Sequence, residues 1–150
     1  MRALSLTQPW ASLMFAPHPF RKVNETRSWP MPRAAYGDVA IHATREIDID
    51  ACLDPFIKAA LKASGFTHTR ELPLSAIIGV VCFTQCFPTE NLVHIPDISE
   101  QEIAFGNYGP NRFAFRSVNP RLLPKPLAVR GHQGFWTVPP EIQALIERAA

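Results

Sequence analysis

Alternating apolar and polar residues along the chain predict short β-strands separated by turns. Residues 23–29 alternate in this way, which places Glu25, Arg27 and Trp29 on one face of a strand. Residues 75–87 form the most apolar run and predict a central strand that is buried on both faces. In total we expect six strands, at residues 2–6, 24–29, 37–43, 75–87, 112–118 and 134–138.

Three segments have the residue spacing of amphipathic helices. The first is expected to begin with Thr7 as its N-cap and Pro9 in its first turn. The second is a helical region that follows residues 48–50, restarts at Asp54 and ends at Gly65. The third starts after Pro139 and runs toward the C-terminus.

The irregular spacing of strands and helices predicts an α+β fold. The expected architecture is a small β-barrel or strongly curved sheet of about six strands, with helices packed outside. Residues 122–129 contain Pro124 and Pro126, so this segment should lie on a sheet edge. Trp10 and Trp136 are expected to be largely buried.

Length and composition fit one folded domain that spans residues 1–150. Because 47% of the residues are hydrophobic, a chain of this length can bury a core, and a net charge of +2 argues against disorder. The sequence contains no apolar run of about 18 residues and no secretory signal, which predicts a cytoplasmic protein without membrane contact. Fifteen prolines indicate many turns.

The small net charge hides an asymmetry along the chain. Residues 1–45 carry six Lys/Arg against two Asp/Glu, residues 46–102 carry three against nine, and residues 103–150 carry six against two. If the two basic ends meet in the fold, one face becomes basic and suits an anionic partner such as nucleic acid. The alternative is that charges of both signs interleave on the surface.

Lys22, Glu25 and Arg27 form the strongest candidate site. Glu25 and Arg27 are two residues apart on a predicted strand and therefore face the same way, about 6–7 Å apart. Two cations with a carboxylate between them suit a phosphate or carbonyl ligand together with a general base. The expected helix start at Thr7 would add a further attraction for anions. The alternative is a partly solvated row of charges with one salt bridge.

Four other residues are candidates for ligand contact. His42 lies on a strand expected to pair with the Glu25 strand and suits a hydrogen-bonding or acid–base role, unless its ring is bonded to the backbone. Tyr108 follows the acidic segment with Glu100 and Glu102, and its ring would stack on a base at the rim. Two more residues belong to the same expected cleft: Gln8 and Trp29.

The sequence indicates neither a metal site nor a bound cofactor. Cys82 and Cys86 are four residues apart on a strand, which separates them by about 13 Å, so we expect them to be buried and metal-free. Cys52 has no histidine nearby in sequence that would activate it as a nucleophile. Phosphate-binding, dinucleotide-binding and serine-hydrolase glycine motifs do not occur in the chain.

Several motifs resemble a known family. The segment Leu-Ser-Leu-Thr-Gln-Pro-Trp-Ala-Ser-Leu, at residues 4–13, resembles the opening of ASCH domains (activating-signal-cointegrator homology), a branch of the PUA-like superfamily. The family then has the pattern G-x-K-x-x-E-x-R-x-W, which Lys22, Glu25, Arg27 and Trp29 match. Pro-Phe stands where a turn glycine is usual in that pattern.

The resemblance continues in order along nearly the whole chain. Residues 37–43 and 77–81 resemble two strands of the family, and Val-Arg-Gly-His-Gln-Gly-Phe-Trp at residues 129–136 is similar to its closing K-G-x-Q-G-x-W. The resemblance implies a PUA-like β-barrel with outer helices and a cleft near the barrel mouth, lined by the Lys/Glu/Arg motif. It also implies RNA or nucleotide ligands.

Some ASCH-like bacterial proteins are amidohydrolases of acetylated cytidine that use a lysine, a threonine and a glutamate. Lys22 matches that lysine, whereas Glu25 stands at the position of the threonine, and Glu100 or Glu102 are the candidates for the distant glutamate. A ribonuclease activity is also suggested within the family.

These observations leave three functions open. The first is an ASCH domain that binds RNA, single-stranded nucleic acid or a nucleotide, with Gln8, Lys22, Arg27 and His42 as contacts. The second is a hydrolase on RNA or a modified nucleoside, with Lys22 and Glu25 in the chemistry. The third is a module that binds protein partners.

Overall fold

Six strands and four α-helices are present in the computed structural model, which describes residues 1–96 and 98–149. The strands are β1 (Arg2–Gln8), β2 (Asn24–Arg27), β3 (Gly37–Ile47), β4 (Ala76–Pro88), β5 (Phe113–Ala128) and β6 (Phe135–Thr137). The helices are α1 (Trp10–Leu13), α2 (Pro55–Ala63), α3 (Glu100–Ala104) and α4 (Pro140–Ala149). No helix in these two ranges is long and apolar enough to cross a membrane.

The strands form one mixed sheet in the order β2-β5-β4-β3-β1-β6. β1 runs parallel to β3, and the other neighbouring pairs are antiparallel. β4 lies at the centre of the sheet, as its apolar sequence predicted, and its residues 76–81 are all buried. The α+β class is therefore confirmed.

The sheet curls but its backbone pairing does not close. In the described chain no ladder joins the edge strands β2 and β6, so the expected closed barrel is not confirmed. Aromatic side chains bridge these two edges instead, because the rings of Trp29 and Phe135 have centroids 5.8 Å apart. Phe115 stacks on Phe135 at 6.3 Å in the same cluster.

The main core fills the inside of the curl, where Ala11 of α1 also packs, and α4 covers the outside. Alternate residues of β1 face opposite sides of the sheet. Leu4 packs into the inner cluster, and Ala3 packs into the cluster beneath α4. Ile146 of α4 is buried in that outer cluster together with Trp136. Helix α2 buries Ile57 in a third cluster. Trp136 is therefore largely buried as predicted, whereas Trp10 is only partly buried.

Helix α2 forms where its sequence predicted. The Asp54 side chain accepts hydrogen bonds from the backbone N–H groups of Phe56 and Ile57, and Gly65 follows the helix with φ of +90°. Residues 122–128 are the second half of β5, and β2 pairs only with its first four residues. In the described chain the half of β5 that contains the two prolines therefore pairs with β4 alone, and its other side is an edge of the sheet.

Two expected boundaries near the N-terminus were wrong. β1 continues through Gln8, which pairs with Ile47, so Thr7 lies in the strand and does not cap a helix. Helix α1 is consequently a single turn that begins at Trp10. β2 ends at Arg27, because its partner Phe113 is the first residue of β5 and no strand lies opposite residues 28–29.

Candidate functional site

Lys22, Glu25 and Arg27 meet at the wall of one cavity of about 450 Å³, here called the motif cavity. Glu25 lies between the two cations: its Oε1 is 3.3 Å from Lys22 Nζ and its Oε2 is 2.8 Å from Arg27 Nε. β2 directs Glu25 and Arg27 to the same face, as the alternation predicted. The rest of the wall is formed by Ser5, Leu6, Thr7, Trp10, Thr26, Asp48, Phe105, Gly106 and Asn107.

The Lys22 ammonium group is saturated by protein acceptors. It donates to the backbone carbonyl oxygens of Asn24 at 2.6 Å and Phe105 at 2.7 Å, in addition to its ion pair with Glu25. An ammonium group has three hydrogens, so all of them have a partner. Lys22 is 1% exposed. It therefore holds β2 against the segment after α3, and its role in the fold is larger than the sequence indicated.

Arg27 keeps part of its guanidinium available. Its Nε donates to Glu25, and one Nη2 hydrogen donates to the backbone oxygen of Ser5 at 2.9 Å. The other three N–H donors have no acceptor among the described residues, and the side chain is 22% exposed. The guanidinium lies 5.7 Å from the centre of the Trp29 ring. Arg27 is thus the member of the motif that a ligand in this cavity can reach most directly.

Trp29 is partly exposed and packs against the core cluster. Its ring packs against Phe115, with centroids 5.6 Å apart, and against Phe135. The Trp29 ring lies beneath the Arg27 guanidinium and does not line the motif cavity.

Glu102 is a buried carboxylate that positions the backbone of the two residues after Lys22. It accepts hydrogen bonds from the backbone N–H groups of Val23 and Asn24 and, at 3.2 Å, from the Tyr108 hydroxyl. Burial and the adjacent Glu102 carboxylate raise the pKa of Tyr108 well above its usual value of 10.0. Tyr108 is partly exposed but does not line the motif cavity, and its hydroxyl points into this buried network. Glu100 is exposed on α3.

Gln8 does not reach the motif cavity. Its side chain is 0% exposed. Its Nε2 donates to Ser12 Oγ and to the Pro73 carbonyl, and its Oε1 accepts from the Ser12 N–H group. The predicted ligand contact is therefore corrected, since Gln8 joins β1 to α1 and to the loop before β4.

His42 lines a second, larger cavity of about 810 Å³, here called the loop cavity because residues 130–134 form one side of it. Ser5 and Thr7 line both cavities, so the two are neighbours along β1. The remaining wall comes from the end of β3 and the residue before β4: Thr44, Arg45, Glu46 and Ser75. The structure thus separates His42 from the Lys/Glu/Arg motif, although it keeps them on adjacent walls.

His42 supports the loop of residues 130–134. Its Nε2 lies 2.8 Å from the Val129 carbonyl oxygen, an acceptor, so Nε2 carries the proton. Gly131 passes so close to the His42 ring that a Cβ there would collide with the ring. Burial lowers the pKa of His42 below 6.5, the bond to Val129 raises it, and nearby His132 lowers it. His42 is therefore neutral at pH 7.

The Ser5 hydroxyl closes the base of the loop cavity. It donates to the His132 carbonyl at 2.7 Å and accepts from Trp136 Nε1 at 2.9 Å. His42 Nδ1 is 3.5 Å away. These bonds fix the path of the loop between β5 and β6 without using its backbone N–H groups.

The charge balance of the motif cavity differs from the expected one. Asp48, which was not among the predicted site residues, also lines this cavity, so the lining carries two positive charges, Lys22 and Arg27, and two negative ones, Glu25 and Asp48. The helix-terminus contribution is also absent, because α1 is one turn and has Pro9 at its N-cap. The loop cavity instead carries Arg45 and Arg130 against Glu46.

Two of the three cysteines are less buried than expected. Cys82 and Cys86 are partly exposed on β4, and Cys52 is buried, with burial raising the pKa of its thiol. In residues 1–96 and 98–149 no three His, Cys, Asp or Glu side chains are placed to hold a metal ion.

Comparison with known proteins identifies the fold. No family model matches the chain, and no curated protein is similar to it in sequence. The crystal structure of ASCH from Zymomonas mobilis has a TM-score of 0.59 to this chain at 16% identity, over 99% of this chain and 95% of that one. Two mutant forms of that protein give TM-scores of 0.58 and 0.57, at 16% and 17% identity, over 99% of this chain and 98% and 96% of theirs. The chain therefore has the fold of an ASCH domain, as its motifs implied.

Proposed function

We propose that this ASCH-like domain binds RNA or a nucleotide in the two neighbouring cavities along β1. The observation that carries the proposal is the set of arginines that line them: Arg27, Arg45 and Arg130. Arg45 and Arg130 are exposed and make no side-chain hydrogen bond or ion pair within the described chain. Arginines kept available at adjoining cavities suit phosphates and base edges.

Salt-dependent binding of a fluorescently labelled RNA of about ten nucleotides tests this function. Phosphate contacts release counterions, so the logarithm of the binding constant should fall linearly with the logarithm of the salt concentration. Arg27→Gln should weaken binding by about 1–3 kcal/mol, the range of a charge-assisted contact. Arg148→Gln removes an exposed arginine on α4 and is the matched control. An absence of binding at low salt contradicts the proposal.

The buried Lys22–Glu25 pair favours a second candidate, a hydrolase on RNA or a modified nucleoside. An ammonium group and a carboxylate 3.3 Å apart at a cavity wall place a proton donor beside a proton acceptor. Turnover of RNA and of a panel of acetylated nucleosides tests this candidate. If Glu25 is the general base, Glu25→Gln should lower turnover roughly 100-fold or more. A wild-type protein that turns over none of these compounds contradicts it.

A further inference from the structure

The two cavities differ in which of their hydrogen-bond donors remain unused. In the motif cavity Lys22 has all three hydrogens bonded, and Glu25 and Asp48 oppose the two cations. A phosphate placed there would face two carboxylates and one partly available guanidinium. Like charges in close contact are unfavourable, so this cavity suits a neutral group that donates hydrogen bonds.

The loop cavity has the opposite character. Within the described chain, none of the backbone N–H groups of residues 130–134 donates a hydrogen bond to a protein acceptor. The carbonyl oxygens of the same loop are used instead, since His132 accepts from Ser5 Oγ and Gly134 accepts from the Ser5 N–H group at 3.3 Å. The loop therefore uses its carbonyl oxygens but not its N–H groups, which leaves consecutive free N–H donors in residues that line the cavity. Consecutive free N–H groups form anion-binding concavities in proteins.

The side chains around this loop agree with its backbone. Arg130 and Arg45 are both exposed and line the cavity, and each is without a side-chain partner among residues 1–96 and 98–149. His132 adds a further exposed donor, and Glu46 is the one acidic residue on the wall. Arginine guanidinium groups match the geometry of phosphate oxygens in a bidentate way.

The loop is also held in place before any ligand binds. His42 fixes Val129, Ser5 fixes His132, and the close passage of Gly131 over the His42 ring leaves no room for a side chain. Donors that are already positioned lose less conformational entropy on binding.

We infer that the loop cavity binds a phosphate group of the ligand, and that the motif cavity takes the attached ribose and base. This inference rests on the proposed nucleotide- or RNA-binding function and adds an orientation to it. Ribose hydroxyl groups donate to carboxylates such as Asp48, and Trp10 offers a partly exposed ring on the same wall. The sequence motif is thereby assigned to the sugar and base, and the loop to the phosphate.

Paired variants separate the two cavities. The test variant is Arg45→Gln/Arg130→Gln, and the control is Arg33→Gln/Arg148→Gln, which removes two exposed arginines elsewhere and changes the net charge equally. The probes are the four ribonucleosides and their 5′-monophosphates, measured by isothermal titration calorimetry. Thermal unfolding of each variant is recorded, and we expect it to be unchanged because exposed charges contribute little to stability.

Wild type should bind at least one monophosphate more tightly than its nucleoside. The test variant should lose about tenfold in monophosphate affinity per arginine, while its nucleoside affinity and the control stay unchanged. For the ten-nucleotide RNA, the salt slope should become shallower by about 0.7, the contribution of one single-strand phosphate contact.

Two results would overturn the inference in distinguishable ways. If the test variant keeps the preference for the monophosphate and Arg27→Gln abolishes it, the phosphate lies in the motif cavity and the proposed function stands. If wild type binds neither the nucleosides, the monophosphates nor the RNA, the proposed function fails together with the inference.

Discussion

The motif cavity and the loop cavity share Ser5 and Thr7, yet their charged residues have opposite surroundings. In the motif cavity the cation Lys22 is buried and bonded on every hydrogen. In the loop cavity Arg45 and Arg130 are exposed, and neither has a side-chain partner in the described chain. A charged residue that stands out in a sequence motif can thus serve the fold first, whereas the charges available to a ligand lie in less conspicuous segments.

Lys22→Met should give the largest effect, and it should be an effect on stability. The substitution leaves the carbonyl oxygens of Asn24 and Phe105 without a donor and removes one partner of Glu25. Breaking a buried ion pair costs about 3–5 kcal/mol. Denaturant unfolding measures this loss, and Lys58→Met, at an exposed lysine on α2, is the control. If Lys22→Met loses no more stability than Lys58→Met, Lys22 does not support the fold, and the contrast with the exposed arginines of the loop cavity is contradicted.

Glu102→Gln should have the next largest effect. The amide nitrogen of glutamine is a donor, so one of the N–H or O–H groups that now donate to the carboxylate would lose its acceptor. The expected loss in the free energy of unfolding is about 2 kcal/mol, with Glu100→Gln on the same helix as the control. Equal stability of the two variants would contradict the conclusion that Glu102 positions the backbone of Val23 and Asn24.

His42 should give the smallest effect, and it should be visible in the pH dependence of stability. Because burial holds the folded pKa of His42 below 6.5, protons bind more readily to the unfolded chain as the pH falls below that value. The contribution of His42 to the free energy of unfolding should therefore be constant above pH 6.5. It should decrease as the pH falls from 6.5 to the pKa that His42 has in the folded protein. Glu71, whose pKa is lowered from 4.5, contributes only at more acidic pH.

His42→Asn should make that decrease shallower, even if the variant is less stable at pH 7 through loss of the bond to Val129. His18→Asn, at an exposed histidine, is the matched control. Denaturant titrations at a series of pH values between 4.5 and 6.5 measure the slope. An unchanged slope in His42→Asn would contradict the role of buried His42 beneath the loop.

The sequence predicts the parts of this molecule that depend on local periodicity. Alternation along β2 placed Glu25 and Arg27 together, and the apolar run identified the central strand β4. The family motifs indicated the ASCH fold that the structural neighbours show.

Long-range contacts account for the features that the sequence did not predict. Lys22 is buried because the Phe105 carbonyl, 83 residues away, accepts one of its hydrogens, and no local pattern indicates that bond. Asp48 reaches the motif cavity because β1 and β3 pair in parallel, with Gln8 beside Ile47. The same pairing extended β1 and removed Gln8 from the candidate site. The glycines of the 130–134 loop were present in the closing motif, but their closeness to His42 depends on the tertiary fold.

The most direct test of the account is to map phosphate binding on the backbone amides. Titration of ¹⁵N-labelled protein with a ribonucleoside 5′-monophosphate, followed by ¹H–¹⁵N correlation spectra, reports each N–H group separately. The account predicts the largest shifts at residues 130–134, smaller shifts around Arg27 and Asn107, and shifts confined to the first group with inorganic phosphate alone. Phosphate-induced shifts centred on residues 22–27, with the loop amides unmoved, would contradict it.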